Sequence, residues 1–312
     1  MTQRFFVNIR CKRFRMTKDT ETKENGVESS DNPSGLLWDS SQAQVSQHWK
    51  KIWKFLNSKK TRQSPINIDT KNVQHDESLK PLNLDRQNIL VHVTNIGWNI
   101  SFKADNVNAI SFTGGGLVHN YAFREMHFHW GEVHKGKCEL GCEHTIDGKR
   151  YAAEFHAVHW NTDLYQTENE AIANPDGLAV IGILIDANEK YEDNKEFEVF
   201  LEMFDKVPYM NNSASFNVDP YLLLPKNLNH YFTYPGSLTM PPLTENVSWT
   251  VLPEIVRISL NQLERMSKNN PREEWEQHNC YKFQRQSDSS TITNNFRYTQ
   301  PINDRVVRSP LP

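Results

Sequence analysis

Two histidine-bearing stretches with a two-residue period constrain this chain more than anything else in it. Glu125-Met126-His127-Phe128-His129-Trp130 is the first; the second is Glu154-Phe155-His156-Ala157-Val158-His159-Trp160, which puts His156 27 residues beyond His129. On a β-strand successive side chains point to opposite faces, so Glu125, His127 and His129 share one face and Met126, Phe128 and Trp130 the other. The second stretch sorts the same way, with Glu154, His156 and Val158 opposite Phe155, Ala157 and His159. If the two strands pair, His156 joins His127 and His129. Three neutral imidazoles leave a divalent ion its full charge and one open position, the form of a catalytic rather than a structural zinc site. Periodicity alone leaves open the plainer alternative of packed or solvated strand histidines. His159, on the wrong face, and His144, outside the strand, read as ordinary residues.

Composition narrows the function classes. With 312 residues, 37% hydrophobic and 23% charged, the chain reads as a soluble globular protein of one large domain or two smaller ones, long enough to bury a core. The longest apolar run, residues 177–185, is too short to span a bilayer, so no membrane span is expected. A formal charge of -3, without a basic block interleaved with aromatics in the main body, excludes nucleic acid as a partner. Four cysteines (Cys11, Cys138, Cys142 and Cys280) show no paired framework and point to a reducing compartment.

Residues 1–18 carry Arg4, Arg10, Lys12, Arg13, Arg15 and Lys18 without an acid, interspersed with Phe5, Phe6, Val7, Ile9 and Phe14. That pattern looks like a mitochondrial transit peptide, with a disordered basic tail as the alternative. Residues 19–35 are polar throughout and read as a flexible linker that cannot repay its ordering entropy. Residues 36–312 are expected to form a single domain. Within it Trp38, Trp49, Ile52, Trp53 and Phe55 read as packing aromatics, and an extended stretch begins at Pro65.

Alternation predicts strands around 90–93 and 100–104, broken at Asn95-Ile96-Gly97, and a bend at Gly114-Gly115-Gly116. A β-branched run over 178–185 suits a strand buried on both faces. Phe197, Phe200, Leu201 and Phe204 predict a helix within 194–207 that stops at Pro208, residues 247–258 read as strand despite Pro253, and Ser259 to Gln262 fits a capping box. The body is therefore mainly β with short helices.

Arg62-Gln63-Ser64-Pro65-Ile66-Asn67-Ile68, His127-Phe128-His129-Trp130-Gly131, Glu143-His144-Thr145, residues 151–161 and 177–182, Ser237-Leu238-Thr239-Met240-Pro241-Pro242 and Asn294-Asn295-Phe296-Arg297 together resemble the α-class carbonic anhydrases, in that family's order, over about residues 49–309. The run over 177–182 and Pro241-Pro242-Leu243-Thr244-Glu245 look most like the mitochondrial members. The resemblance implies a twisted, mostly antiparallel sheet of about ten strands. It implies zinc held by His127, His129 and His156, with Glu154 orienting His156 and Glu125, where the family usually has Gln, holding His127. It further implies that the Thr239 hydroxyl donates to Glu143, so that Thr239 can only accept from zinc-bound hydroxide. Val158, Val180, Leu238, Val247 and Trp249 stand at positions that form the dry wall for carbon dioxide. The expected reaction is reversible hydration of carbon dioxide to bicarbonate and a proton by attack of that hydroxide, formed because zinc lowers the pKa of its water to about 7, a value known from carbonic anhydrase itself. Sulfonamides and anions are the expected inhibitors.

Some positions depart from the family. Trp98 stands where the fastest members place a proton-passing histidine, and indole cannot titrate near neutrality; His134 is a candidate substitute. Met240 replaces a small polar residue, and Ile96 and Ser101 replace polar cavity positions. About four extra residues between Trp130 and Glu143 contain His134, Cys138 and Cys142. They read as a surface loop with free thiols, or as a second metal clip or redox pair. The reading from another class is a non-catalytic carbonic-anhydrase-related binding module, in which zinc histidines are replaced; here all three are present. The mitochondrion is the expected compartment and the cytoplasm the alternative.

Overall fold

The computed structural model describes residues 60–131, 133–134, 137–268 and 294–312. The basic leader, the linker, the Trp38 to Phe55 aromatics, Cys11 and Cys280 lie outside the described residues.

In chain order the strands are β1 (Asn67–Ile68), β2 (Gln74–His75), β3 (Lys80–Leu84), β4 (Ile89–Asn95), β5 (Ile100–Ala104), β6 (Ser111–Gly115), β7 (Tyr121–Trp130) and β8 (Val133–His134). They continue as β9 (Lys137–Cys138), β10 (Thr145–Ile146), β11 (Ala153–Asn161), β12 (Leu178–Asn188), β13 (Ser213–Val218), β14 (Phe232–Gly236), β15 (Val247–Ser259) and β16 (Arg308–Ser309). Among the described residues three α-helices intervene, α1 (Glu168–Ala173), α2 (Lys195–Phe204) and α3 (Leu260–Lys268), together with a short 3-10 helix at Thr70–Asn72.

One sheet organises the fold, twelve-stranded rather than the roughly ten expected, in the order β13-β4-β5-β7-β11-β12-β15-β14-β16-β2, with β6 also pairing β7 and β3 pairing β6. Its pairings are antiparallel except β12 with β15 and β16 with β2. The two histidine strands, β7 and β11, are thus paired at its centre, antiparallel. Pro253 fits inside β15 because the ladder with β12 shifts register there: Leu252 opposes Ile183 and Val256 opposes Ile185. A bulge tolerates the missing N–H of proline.

Alternation along these strands splits the apolar residues into two layers. Phe102, Met126, Phe128, Phe155, Ile181 and Ile183 face one side, where α2 lays Phe197, Phe200 and Phe204 on them. That helix starts at Asn194, whose side chain accepts from the Phe197 N–H and satisfies a free helix-end donor. Ser259 and Gln262 form the expected reciprocal cap of α3, with Gln262 N donating to Ser259 Oγ at 3.1 Å and Ser259 N to Gln262 Oε1 at 3.4 Å. On the opposite side Val158, Val180, Val247, Trp249 and Val251 form a second apolar cluster, beside the histidines. No described helix is long and apolar enough to cross a membrane.

Candidate metal centre

The β7–β11 register sets His127 directly opposite His156 and His129 opposite Glu154. The imidazole centroids are 5.0 Å apart for His127 and His129, 5.3 Å for His127 and His156, and 4.7 Å for His129 and His156. One nitrogen from each ring lies within 4.8 Å of the others. His129 Nε2 is buried with no hydrogen-bond partner. A buried lone pair of this kind, converging with a nitrogen from each of two other rings, fits a metal ion.

The orientation of two rings follows from their partners. His129 Nδ1 lies 2.7 Å from the Asn295 carbonyl and must donate to it, leaving Nε2 with a lone pair. His156 Nε2 lies 2.8 Å from Glu154 Oε1, which leaves Nδ1 free. Burial lowers the pKa of His127 well below its usual value, helped by His129 and His156, and burial also lowers that of His129. Both rings therefore stay neutral near pH 7, the form in which imidazole binds a metal.

Glu154 is the anchor of this arrangement. Its Oε1 also receives His144 Nδ1 at 2.7 Å, and its Oε2 accepts the backbone N–H groups of Glu143 at 2.8 Å and His144 at 2.7 Å. Burial is the largest single influence on its pKa and acts to raise it, but His144, His156 and their hydrogen bonds together outweigh it, so the carboxyl sits well below its usual value. Gly182 faces His156 across β12, and a Cβ there would come 3.0 Å from Glu154 Oε1. His144 is accordingly no bystander, contrary to the expectation from its place outside the strand. Its Nε2 meets the Tyr234 hydroxyl at 2.6 Å, and it belongs to a second group of potential ligands with Glu154 and His156. The sharing of Glu154 was invisible because the 139–152 loop folds back only in three dimensions.

Glu125 does not hold His127. The nearest approach is 3.9 Å from Oε1 to Nδ1, beyond hydrogen-bond reach. The carboxylate instead pairs through Oε2 with Arg124 Nη1 at 2.6 Å, and Arg124 Nε lies 2.8 Å from Glu168 Oε2. Strict alternation fails here: Val158 opposes Glu125 and His159 opposes Phe123, so Arg124 is the extra residue of a β-bulge.

The expected hydrogen bond from Thr239 to Glu143 is likewise not formed. Glu143 Oε1 accepts from the Arg297 N–H at 2.8 Å, while Oε2 is buried without a partner. Thr239 is buried, with Met240 half-buried beside it, in a tight loop where Leu243 N donates to the Met240 carbonyl at 2.8 Å. Val158, Val180, Val247 and Trp249 pack together, with Leu238 against them, and Trp249 Nε1 donates to the Ser237 carbonyl at 3.0 Å. Trp98 is 42% exposed, and its carbonyl accepts from Asn295 Nδ2 at 3.3 Å. The inserted loop forms the β8–β9 hairpin. Its thiols make no disulfide, and Cys142 is buried rather than on the surface, accepting from the Tyr151 N–H. Burial pushes the Cys138 thiol up to about 11 and Cys142 to about 12, so neither offers a thiolate near neutrality. Among the described residues neither cysteine joins a metal-ligand cluster, and the side chain of His134 lies outside the description.

Residues 44–310 match the family model for eukaryotic-type carbonic anhydrase. The chain is 35% identical over 276 residues to carbonic anhydrase 7 of Homo sapiens, covering 87% of this chain and 96% of that protein, and equally similar to its Mus musculus counterpart. It is 33% identical over 280 residues to carbonic anhydrase 1 of Monodelphis domestica, covering 88% of this chain and 98% of the relative. Nothing in these matches supports the expected nearness to mitochondrial members. The matched span and these identities establish that the chain belongs to the eukaryotic-type carbonic anhydrase family and is a carbonic anhydrase.

Proposed function

We propose that the chain is a zinc enzyme interconverting carbon dioxide and water with bicarbonate and a proton, with His127, His129 and His156 holding the metal. The observation that carries this reading is the convergence of three imidazoles, one nitrogen of each within 4.8 Å of the others, at a buried His129 Nε2 that has no hydrogen-bond partner. Zinc bound there supplies the charge that lets a water ionise near neutrality, with a pKa of about 7 in carbonic anhydrase itself.

The chain's own residues supply orientation and dryness. Asn295 and Glu154 hold the outer protons of His129 and His156. Carbon dioxide is apolar, and the wall of Val158, Val180, Leu238, Val247 and Trp249 accommodates it while excluding water. Glu143 Oε2 is a buried acceptor without a partner, and a hydrogen bond to it from the Thr239 hydroxyl would leave Thr239 a lone pair to orient the attacking oxygen. Met240 narrows the bicarbonate end. Trp98 offers no titrating group, so small buffers carry the proton away. Sulfonamides and small anions would compete for the open metal position. A non-catalytic binding module is not favoured, because all three histidines are present. A mitochondrial destination rests on the composition of residues 1–18 alone, and the N-terminus of the mature protein tests it.

Stopped-flow hydration of carbon dioxide with metal analysis tests the reaction, comparing wild type with His156→Ala. Wild type should carry about one zinc per chain, and the variant should lose zinc together with at least about 10²-fold in kcat/KM. Equal activity in the two would end this reading.

A further inference from the structure

His129 and His156 each have an acceptor for the ring nitrogen that would face away from a metal, at 2.7 and 2.8 Å. His127 does not, although a carboxylate stands on its own strand face. The difference originates in the bulge. An extra residue in one strand of a pair re-aims the side chains beside it, and here it lets two consecutive residues, Arg124 and Glu125, meet at 2.6 Å. Arg124 is also ion-paired to Glu168, in the first turn of α1, with Nε 2.8 Å from Oε2 in a geometry that holds by charge and makes no hydrogen bond. The Arg124 side chain is only 13% exposed, so it is packed beside the site rather than free in solvent. Glu125 Oε1 is left 3.9 Å from His127 Nδ1.

We propose that Arg124 is a positioning residue which, braced by Glu168, holds the Glu125 carboxylate off His127. His127 is thereby the one metal ligand without a hydrogen-bonded orienting partner, and the site releases its metal through that ring first. The inference rests on the zinc reading above, but it concerns the retention of the metal and not turnover. Outer partners of ligating histidines change metal affinity by about 10–100-fold. Freeing Glu125 to reach His127 Nδ1–H, now 3.9 Å away, should therefore tighten the site.

The experiment follows zinc release from the full-length protein to excess chelator, in wild type, Arg124→Leu, Arg124→Lys and Arg124→Leu combined with Glu125→Ala. Near-ultraviolet circular dichroism verifies the fold of each. Arg124→Leu should release zinc about tenfold more slowly than wild type. The double variant should lose that slowing, since the carboxylate responsible is gone, and Arg124→Lys should stay close to wild type. In ¹⁵N spectra of the imidazoles, the His127 Nδ1 signal should move in Arg124→Leu alone. Release as fast in Arg124→Leu as in wild type, or slowing that persists in the double variant, overturns the proposal while leaving the zinc reading intact. A wild-type protein that retains no zinc ends both.

Discussion

On one face of the β7–β11 pair, Phe128 packs against Phe155, Phe197, Phe200 and Phe204 with centroids 5.1 to 5.8 Å apart. On the other face of the same two strands, Glu154 accepts four N–H groups, and a row of imidazoles stands next to it. The first face gains free energy by leaving water and asks little of geometry. The second loses solvation for every buried charge and recovers it only if all the partners are in place. Side by side, they show how a rigid apolar layer can carry a polar site that would not hold its shape alone.

Mutations can separate the two faces. Phe128→Ala removes the centre of the aromatic layer and should lower stability by about 3–5 kcal/mol in chemical denaturation. The folded fraction should still bind zinc in a one-to-one ratio; loss of metal from well-folded protein would show that the faces are not separable. Glu154→Gln puts an amide NH₂ against N–H donors and removes the charge. Zinc affinity measured against a competing chelator should fall by about 10–100-fold, with the aromatic near-ultraviolet signal kept.

A buried histidine outside the metal centre sharpens the contrast. His159 accompanies the aromatic layer, its Nε2 at 2.7 Å from the Tyr221 hydroxyl, and burial takes its pKa from 6.5 to about 3. Between those values the unfolded chain binds a proton that the folded one refuses, so stability falls as pH drops from 6.5 towards 3. The slope is about 1.4 kcal/mol per pH unit for one such group. His159→Gln should flatten the pH dependence of denaturation by about that much; an unchanged slope would mean that this ring is protonated in the folded state. The smallest effect is expected at the rim. Trp98→His should raise hydration rates in weak buffer by about two- to tenfold and make the rate less dependent on added imidazole. Buffer independence of the wild-type rate would remove proton transfer as the limit.

The sequence carried the strand pair, because a two-residue period survives in any register that keeps one face apolar, and Met126, Phe128 and Phe155 on the core face enforce that register. It also carried α2 and the cap at Ser259, which depend on residues within one turn. The bulge at Arg124 left no trace in the pattern, since an extra residue is defined only by what opposes it. Asn295 as the partner of His129 was equally hidden: the acceptor is a backbone carbonyl, which any residue could supply. His144 was misread because being outside a strand says nothing about a loop that returns to it. Glu125 and the Thr239–Glu143 contact were placed by resemblance, and for both the local hydrogen bonds differ from what the family pattern implied.

The bond between His129 and the Asn295 carbonyl spans 166 residues. All three histidines have been synthesised once residue 156 is added, but the acceptor that fixes the His129 tautomer arrives only with residue 295 of 312. A metal captured during synthesis would meet a ring still free to turn. The orientation of His129 is therefore fixed only after the segment carrying Asn295 has docked.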